Sequence, residues 1–346
     1  MPEGVLQDAS KPVAGTLVRV ASPLQNTLYC LLVMLGIVGN GGVGGVVGVW
    51  LLQGSGAVRL SDAVLLNMVL SNLMVSLFRN ILLMLSDLGL ELYLSWGWCK
   101  VLMCVWVWLR CANVWATLCL SAFHLSTLRR LAPSPGPPGP RSLRGPFRRL
   151  LLGLALMWAL TLVFSLPVLM YSTRGQNNQT EDLMLISSTT RPLLGCVWSF
   201  PSRNSGLAYA TVSMVLHEAT PILLMLGTNL GTLHILAQHG QAQSSLAHRV
   251  PAEKRAAKVV LVLVMLFLAS WGGSVLSVNF YNYNRGPASA YLLVMARFTN
   301  SLFIAGSPLV LLAGHRRLRH ALARVLAHRH TLTRALTHTL GHRRAH

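Results

Sequence analysis

Long apolar runs alternate with short polar or basic connections along the chain. The stretch from Cys99 to Pro133 is apolar for more than the ~20 residues that a helix needs to cross a bilayer. It carries Arg110 in its apolar middle and closes on His124, Arg129, Arg130 and Pro133. A charge at membrane depth is costly unless it faces the interior of a bundle or water, so this helix is expected at the centre, ringed by others. Runs at about 28–52, 61–86, 150–171, 206–236, 257–278 and 291–313 predict six more spans.

The expected fold is therefore all-α, a seven-helix membrane bundle over residues 28–313. Residues 1–27 would lie outside, and a basic tail, 314–346, inside. In the first span Gly41/Gly45 and Gly44/Gly48 have the small-xxx-small spacing that lets a neighbouring helix approach closely. Leu318, Leu322 and Leu326 recur at helical spacing within 315–326, which suits a short amphipathic helix on the inner leaflet. The Pro/Gly-rich stretch 129–149 reads as an exposed loop. The first residues lack the pattern of a cleavable signal peptide, so the first span is expected to serve as the insertion signal.

Composition agrees with a membrane protein: 53% of the 346 residues are hydrophobic and 11% charged, against about 25% charged in soluble domains. A formal net charge of +20 would suggest a nucleic-acid partner in a soluble protein. Here the basic residues sit between spans, and topology accounts for them without nucleic acid. Connections 1–2, 3–4 and 5–6 and the tail carry the excess. The other side has Arg174, Arg191, Arg203 and Arg285, partly balanced by Glu181 and Asp182. The bias puts the N-terminus outside and the tail in the cytoplasm. The glycosylation sequon at Asn178 then falls on the oxidising side, as does Cys196.

Of six cysteines only Cys99 and Cys196 lie at the level of the outer loops, and a disulfide between them is expected. The others, Cys30, Cys104, Cys111 and Cys119, read as small packing residues. No CxxC or Cys/His spacing points to a metal. No nucleophile, phosphate loop or carboxylate pair points to an enzyme or a cofactor. Asp62 and Glu218 are the only acidic residues within spans, and no internal repeat is visible, both of which count against a transporter. Arg79, Arg110 and Arg297 are the costly residues, with His217 and Glu218 at similar depth. Two readings stand. Arginine and glutamate pair structurally, or the arginines line a water-filled pocket for an anionic or acceptor-rich ligand. The central position of Arg110 favours the pocket, whereas Arg79 and Arg297, nearer the rim, have the reach to snorkel outward.

Several stretches together carry a resemblance. They are LRCANVWATLCLSAFHLSTL in the third span, PAEKRAAKVVLVLVMLF at the entry to the sixth, SPLVLL at 307–312, and LSNLMVSL at 70–77. The last places Asn72 where most rhodopsin-like receptors carry aspartate. In this order the set resembles the vomeronasal type 1 receptors and the related class A olfactory receptors of fish, and the resemblance runs over roughly residues 39–312. Where the wider class of G-protein-coupled receptors has Asp-Arg-Tyr, this chain has Phe123-His124-Leu125. The vomeronasal branch lacks that motif too, although His124 departs from its usual residue. Cys-Trp-x-Pro becomes Ser270-Trp271-Gly272-Gly273, and Asn-Pro-x-x-Tyr becomes Ser307-Pro308-Leu309-Val310-Leu311.

The resemblance implies a multi-pass chemosensory receptor of the plasma membrane. A small odorant or pheromone would enter from outside and meet Arg79, Arg110, Asn113, His217, Glu218, Trp271 and Arg297. Gly272-Gly273 would let the sixth span bend. His124, Arg129, Arg130, Lys254 and Arg255 would face an inhibitory-type heterotrimeric G protein. The implied partners are a small molecule, anionic if the arginines hold it, the G protein, and membrane lipids. A bitter-taste-type or orphan non-sensory receptor is the alternative, with a seven-span transporter or channel behind it.

Overall fold

A computed structural model describes residues 23–53, 60–88, 95–130, 144–174, 194, 196–241, 250–283, 290–314 and 318–324. The described residues form seven helices long and apolar enough to cross a membrane. They are α1 (Pro23–Leu52), α2 (Leu60–Val75, a π-helical turn Ser76–Asn80, then Ile81–Asp87), α3 (Trp96–Arg130) and α4 (Arg144–Ser165 with Pro167–Tyr171). After a two-stranded hairpin come α5 (Arg203–Met214, a π-helical turn Val215–Ala219, then Thr220–Gln241), α6 (Val250–Tyr283) and α7 (Ala290–Gly314). The helices extend beyond the spans read from hydropathy. α1 begins at Pro23, and α4 begins at Arg144, so Arg148 and Arg149 lie on a helix where an exposed loop was expected. Pro146 falls in the first turn of α4, where a proline's missing N–H costs no intrahelical bond.

α3 is the axis of the bundle. In its apolar stretch 78% of residues are buried, against 22% for α4, which turns most of its surface to lipid. Its outer end is tied to the hairpin, in which β1 (Ser172–Arg174) pairs antiparallel with β2 (Cys196–Trp198). The expected disulfide is present, Cys99–Cys196, with a Cα–Cα distance of 5.4 Å. Trp198 of β2 is fully buried and stacks on Phe200 at 5.4 Å, which in turn stacks on Tyr171 at 5.0 Å.

Close approach of α1 depends on other glycines than the predicted pairs. A methyl group at Gly39 would lie 2.5 Å from Pro308 Cγ of α7, one at Gly36 3.4 Å from Ile304, and one at Gly44 3.4 Å from Val69. Beside Gly41, Gly45 and Gly48 there is nothing within 4 Å among the described residues. The spacing was right for one contact, Gly44, but the seam on α7 runs through Gly36 and Gly39. α6 and α7 also meet along glycines: Gly273 against Thr299, Gly306 against Leu266 and Gly314 against Val259. Gly273 therefore serves close packing, and α6 is helical throughout this stretch. Residues 318–324 are helical, as expected, but Leu318 and Ala321 are buried and Leu322 lies against Gly42. Gly42 leaves room for Leu322, and Leu326 lies outside the described residues.

A buried amide cluster fastens α3 to α1, α2 and α7. Asn113 Nδ2 donates to Asn72 Oδ1 (2.6 Å) and Ser71 Oγ (3.1 Å). Asn72 Nδ2 donates to Ser307 Oγ (3.0 Å) and Asn40 Oδ1 (3.4 Å), and Asn40 Nδ2 donates to the carbonyls of Gly36 and Ile304. Ser307 is thus an acceptor from Asn72.

Two substitutions test this packing. Gly39→Ala should destabilise the purified receptor by ~1–3 kcal/mol through overpacking against Pro308, while Gly41→Ala should change it by less than ~0.5 kcal/mol; thermal unfolding of both in the same detergent checks the contrast. Asn72→Leu should cost about 1–2 kcal/mol by stranding Asn113 and Asn40, read in the same assay.

Candidate functional site

Two π-helical turns carry the buried charges of the outer half. A π turn holds an extra residue, which lets two adjacent side chains point inward, and such turns recur at functional sites. The first buries Ser76, Arg79 and Asn80; the second buries His217 and Glu218. The second has a local cause. Pro221 has no N–H to give the carbonyl four residues back, so the helix adjusts in the turn before it.

Around the first turn Arg79 lies over the Trp106 ring of α3, 4.8 Å from its centroid, and donates from Nη1 to Asn80 Oδ1 (3.2 Å). Tyr29 of α1 donates its hydroxyl to the same oxygen (3.4 Å). Arg297 of α7 stacks over the Tyr29 ring at 3.8 Å. Arg79 is buried and Arg297 half-buried, each against an aromatic ring. Aromatic faces on the neighbouring helices hold the cations where desolvation strengthens cation–π attraction.

Around the second turn His217 accepts a hydrogen bond at Nδ1 from Trp115 Nε1 (3.1 Å) and packs 4.2 Å from the Phe164 ring. Phe164 stacks on Tyr209 at 5.3 Å, and Tyr209 touches Trp198 and Phe200. A column of rings therefore runs from the disulfide-tethered hairpin down to His217. Glu218 is buried, and its charge acts on Arg110 and Cys111 of α3.

Between α3, α6 and α7 lies a small cavity of about 10 Å³, room for a single water-sized atom. Arg110, Asn113, Phe267, Ser270, Trp271 and Asn300 line it together with Phe303 and Ile304. Arg110 is 5% exposed. Both N–H groups of Asn113 are used in the amide cluster, so this residue forms the floor and can offer the cavity only its oxygen. Ser270 is also occupied: its hydroxyl donates to the Thr299 carbonyl and accepts from Phe303 N.

The seven residues expected to share one pocket thus fall into three neighbouring groups. Arg110, Asn113 and Trp271 line the cavity. Arg79 and Arg297 sit with Tyr29, and His217 and Glu218 lie toward α4 and α5. Asn300 was missed. Its signal was present as an amide in the apolar run of α7, one helical turn after Arg297. At the inner end His124 is half-buried with Nδ1 3.1 Å from the Leu120 carbonyl, and Arg129, Arg130 and Arg255 are exposed. Asn178 and the side chain of Lys254 lie outside the described residues.

Residues 140–305 match the family model described as "7 transmembrane receptor (rhodopsin family)". The chain is 45% identical over 307 residues to a protein of Danio rerio named "Olfactory receptor class A-like protein 4", covering 86% of this chain and 88% of that one. The fold is similar to that of squid rhodopsin, with a TM-score of 0.64 and 16% identity, over 92% of this chain and 91% of the other. Identity at that level over most of both chains, on a seven-helix bundle, shows a receptor rather than an enzyme, multi-pass in the plasma membrane: the chain belongs to the rhodopsin family of G-protein-coupled receptors, in the company of the olfactory class A-like proteins.

Proposed function

We propose that this receptor detects a small odorant or pheromone, anionic or rich in hydrogen-bond acceptors, and signals through a heterotrimeric G protein of the inhibitory type. The observation that carries the ligand class is Arg110, a buried guanidinium on the central helix facing a cavity between α3, α6 and α7. Its planar fork suits a carboxylate, a sulfate or a phenol oxygen. The name of the Danio rerio relative supports the olfactory reading. Arg79 and Arg297, held on aromatic faces in the outer half, would draw an anion inward, and the aromatic column ending at His217, with Glu218 behind it, would bound its path.

The cavity is far smaller than an odorant, so binding requires the helices around it to separate. A ligand that occupies only the opened arrangement shifts the population toward it. Trp271 of α6 lines the same cavity as Arg110, and the α6–α7 seam would carry any movement to the inner ends. There His124, Arg129, Arg130, Lys254 and Arg255 would meet the G protein.

A ligand panel on cells carrying the receptor and a promiscuous G protein tests the reading. An acidic agonist should emerge. Arg110→Ala should reduce its potency by roughly tenfold to a hundredfold, matching the loss of a charge-assisted contact worth ~1.5–3 kcal/mol, at unchanged surface expression. Arg110→Lys should restore only part. Full potency of Arg110→Ala toward an acidic agonist would leave Arg110 as the structural partner of Glu218.

A further inference from the structure

The central cavity is richer in hydrogen-bond donors than its walls can satisfy. The Arg110 guanidinium, 5% exposed, lines it. Trp271 Nε1–H is buried without an acceptor among the described residues. An indole nitrogen can only donate, so it cannot be satisfied by a second donor. Asn300 adds an amide on the α7 side. The Ser270 hydroxyl and the Asn113 amide hydrogens are already spent. Glu218 offsets part of the Arg110 charge from the α5 side.

A buried guanidinium and an indole N–H without an acceptor are expensive at membrane depth, and one acceptor between them lowers both costs. The space of about 10 Å³ is water-sized; a halide, somewhat larger than a water, fits when the lining side chains give slightly, and a carboxylate with its attached chain does not. We propose that a single halide ion, chloride from the surrounding fluid, occupies this cavity in the ligand-free receptor. Arg110, Trp271 and Asn300 hold it, and an anionic ligand displaces it on binding. Displacement rests on the reading of this cavity as the ligand site; the ion site stands on the donor geometry alone. The ion bridges α3 to α6 and α7 and so favours the closed bundle.

Purified full-length receptor in lipid nanodiscs, compared in sodium chloride, sodium bromide and sodium gluconate at equal ionic strength, provides the test. A ligand that binds only the folded state stabilises it in proportion to occupancy. Both halides should raise the unfolding temperature in a saturable way over gluconate. The increment should vanish in Arg110→Gln and shrink in Trp271→Phe, which keeps the ring and removes only the donor. Bromide should give an anomalous scattering peak between Arg110 and Trp271. Equal unfolding temperatures in the three salts for wild type would overturn the proposal and leave the cavity to water. A halide increment that persists in both variants would mean an adventitious ion only, and would overturn it equally. An Arg110-dependent halide increment beside an undiminished acidic-agonist response of Arg110→Ala would retain the ion and overturn displacement, and with it the ligand reading of the cavity.

Discussion

In hydrocarbon a polar side chain has no water to fall back on, and the position of α3 follows from that constraint. Asn113, Thr117 and Ser121 are buried along it, and each finds a protein partner. Asn113 is the critical one because its two N–H groups reach α2, and through Asn72 the bonds continue to α1 and α7. Moving α3 along its axis would break these bonds together. The disulfide to the hairpin fixes the outer end of the same helix, so the axis is held both at membrane depth and at the outer face.

The charged residues obey the same constraint by different means. Arg79 and Arg297 are satisfied in part by aromatic faces and by Asn80. Arg110 has charge coupling to Glu218 and an open space in front of it. A bundle selected only for stability would replace a buried cation by an apolar side chain of similar size at little cost. Keeping it beside a cavity is the arrangement expected of a site that waits for an acceptor.

Much of this was legible in the chain. Seven apolar runs, the basic bias and the two cysteines at the outer level led directly to the bundle and its disulfide, because span length and loop charge depend on local sequence. The cost of Arg110 at mid-span pointed to the centre of the bundle for the same reason. The glycine seam was not legible, since spacing alone does not say which face of α1 meets α7; Gly39 is recognised only once Pro308 is seen beside it. The division of the expected pocket into three groups depends on the π turns. These had a faint signal: Arg79-Asn80 and His217-Glu218 are adjacent polar pairs in apolar runs, and a regular helix does not turn both members fully inward. The small volume of the cavity is a property of packing among α3, α6 and α7, which no single span encodes.

The most direct measurement is a cryo-electron-microscopy structure of the agonist-bound receptor in complex with its G protein. The account predicts an acceptor atom of the ligand within hydrogen-bond distance of the Arg110 guanidinium, the cavity between α3, α6 and α7 enlarged to hold it, and the amide cluster at Asn72 and Asn113 preserved below. An agonist bound elsewhere, with the space beside Arg110 and Trp271 still closed, would contradict it.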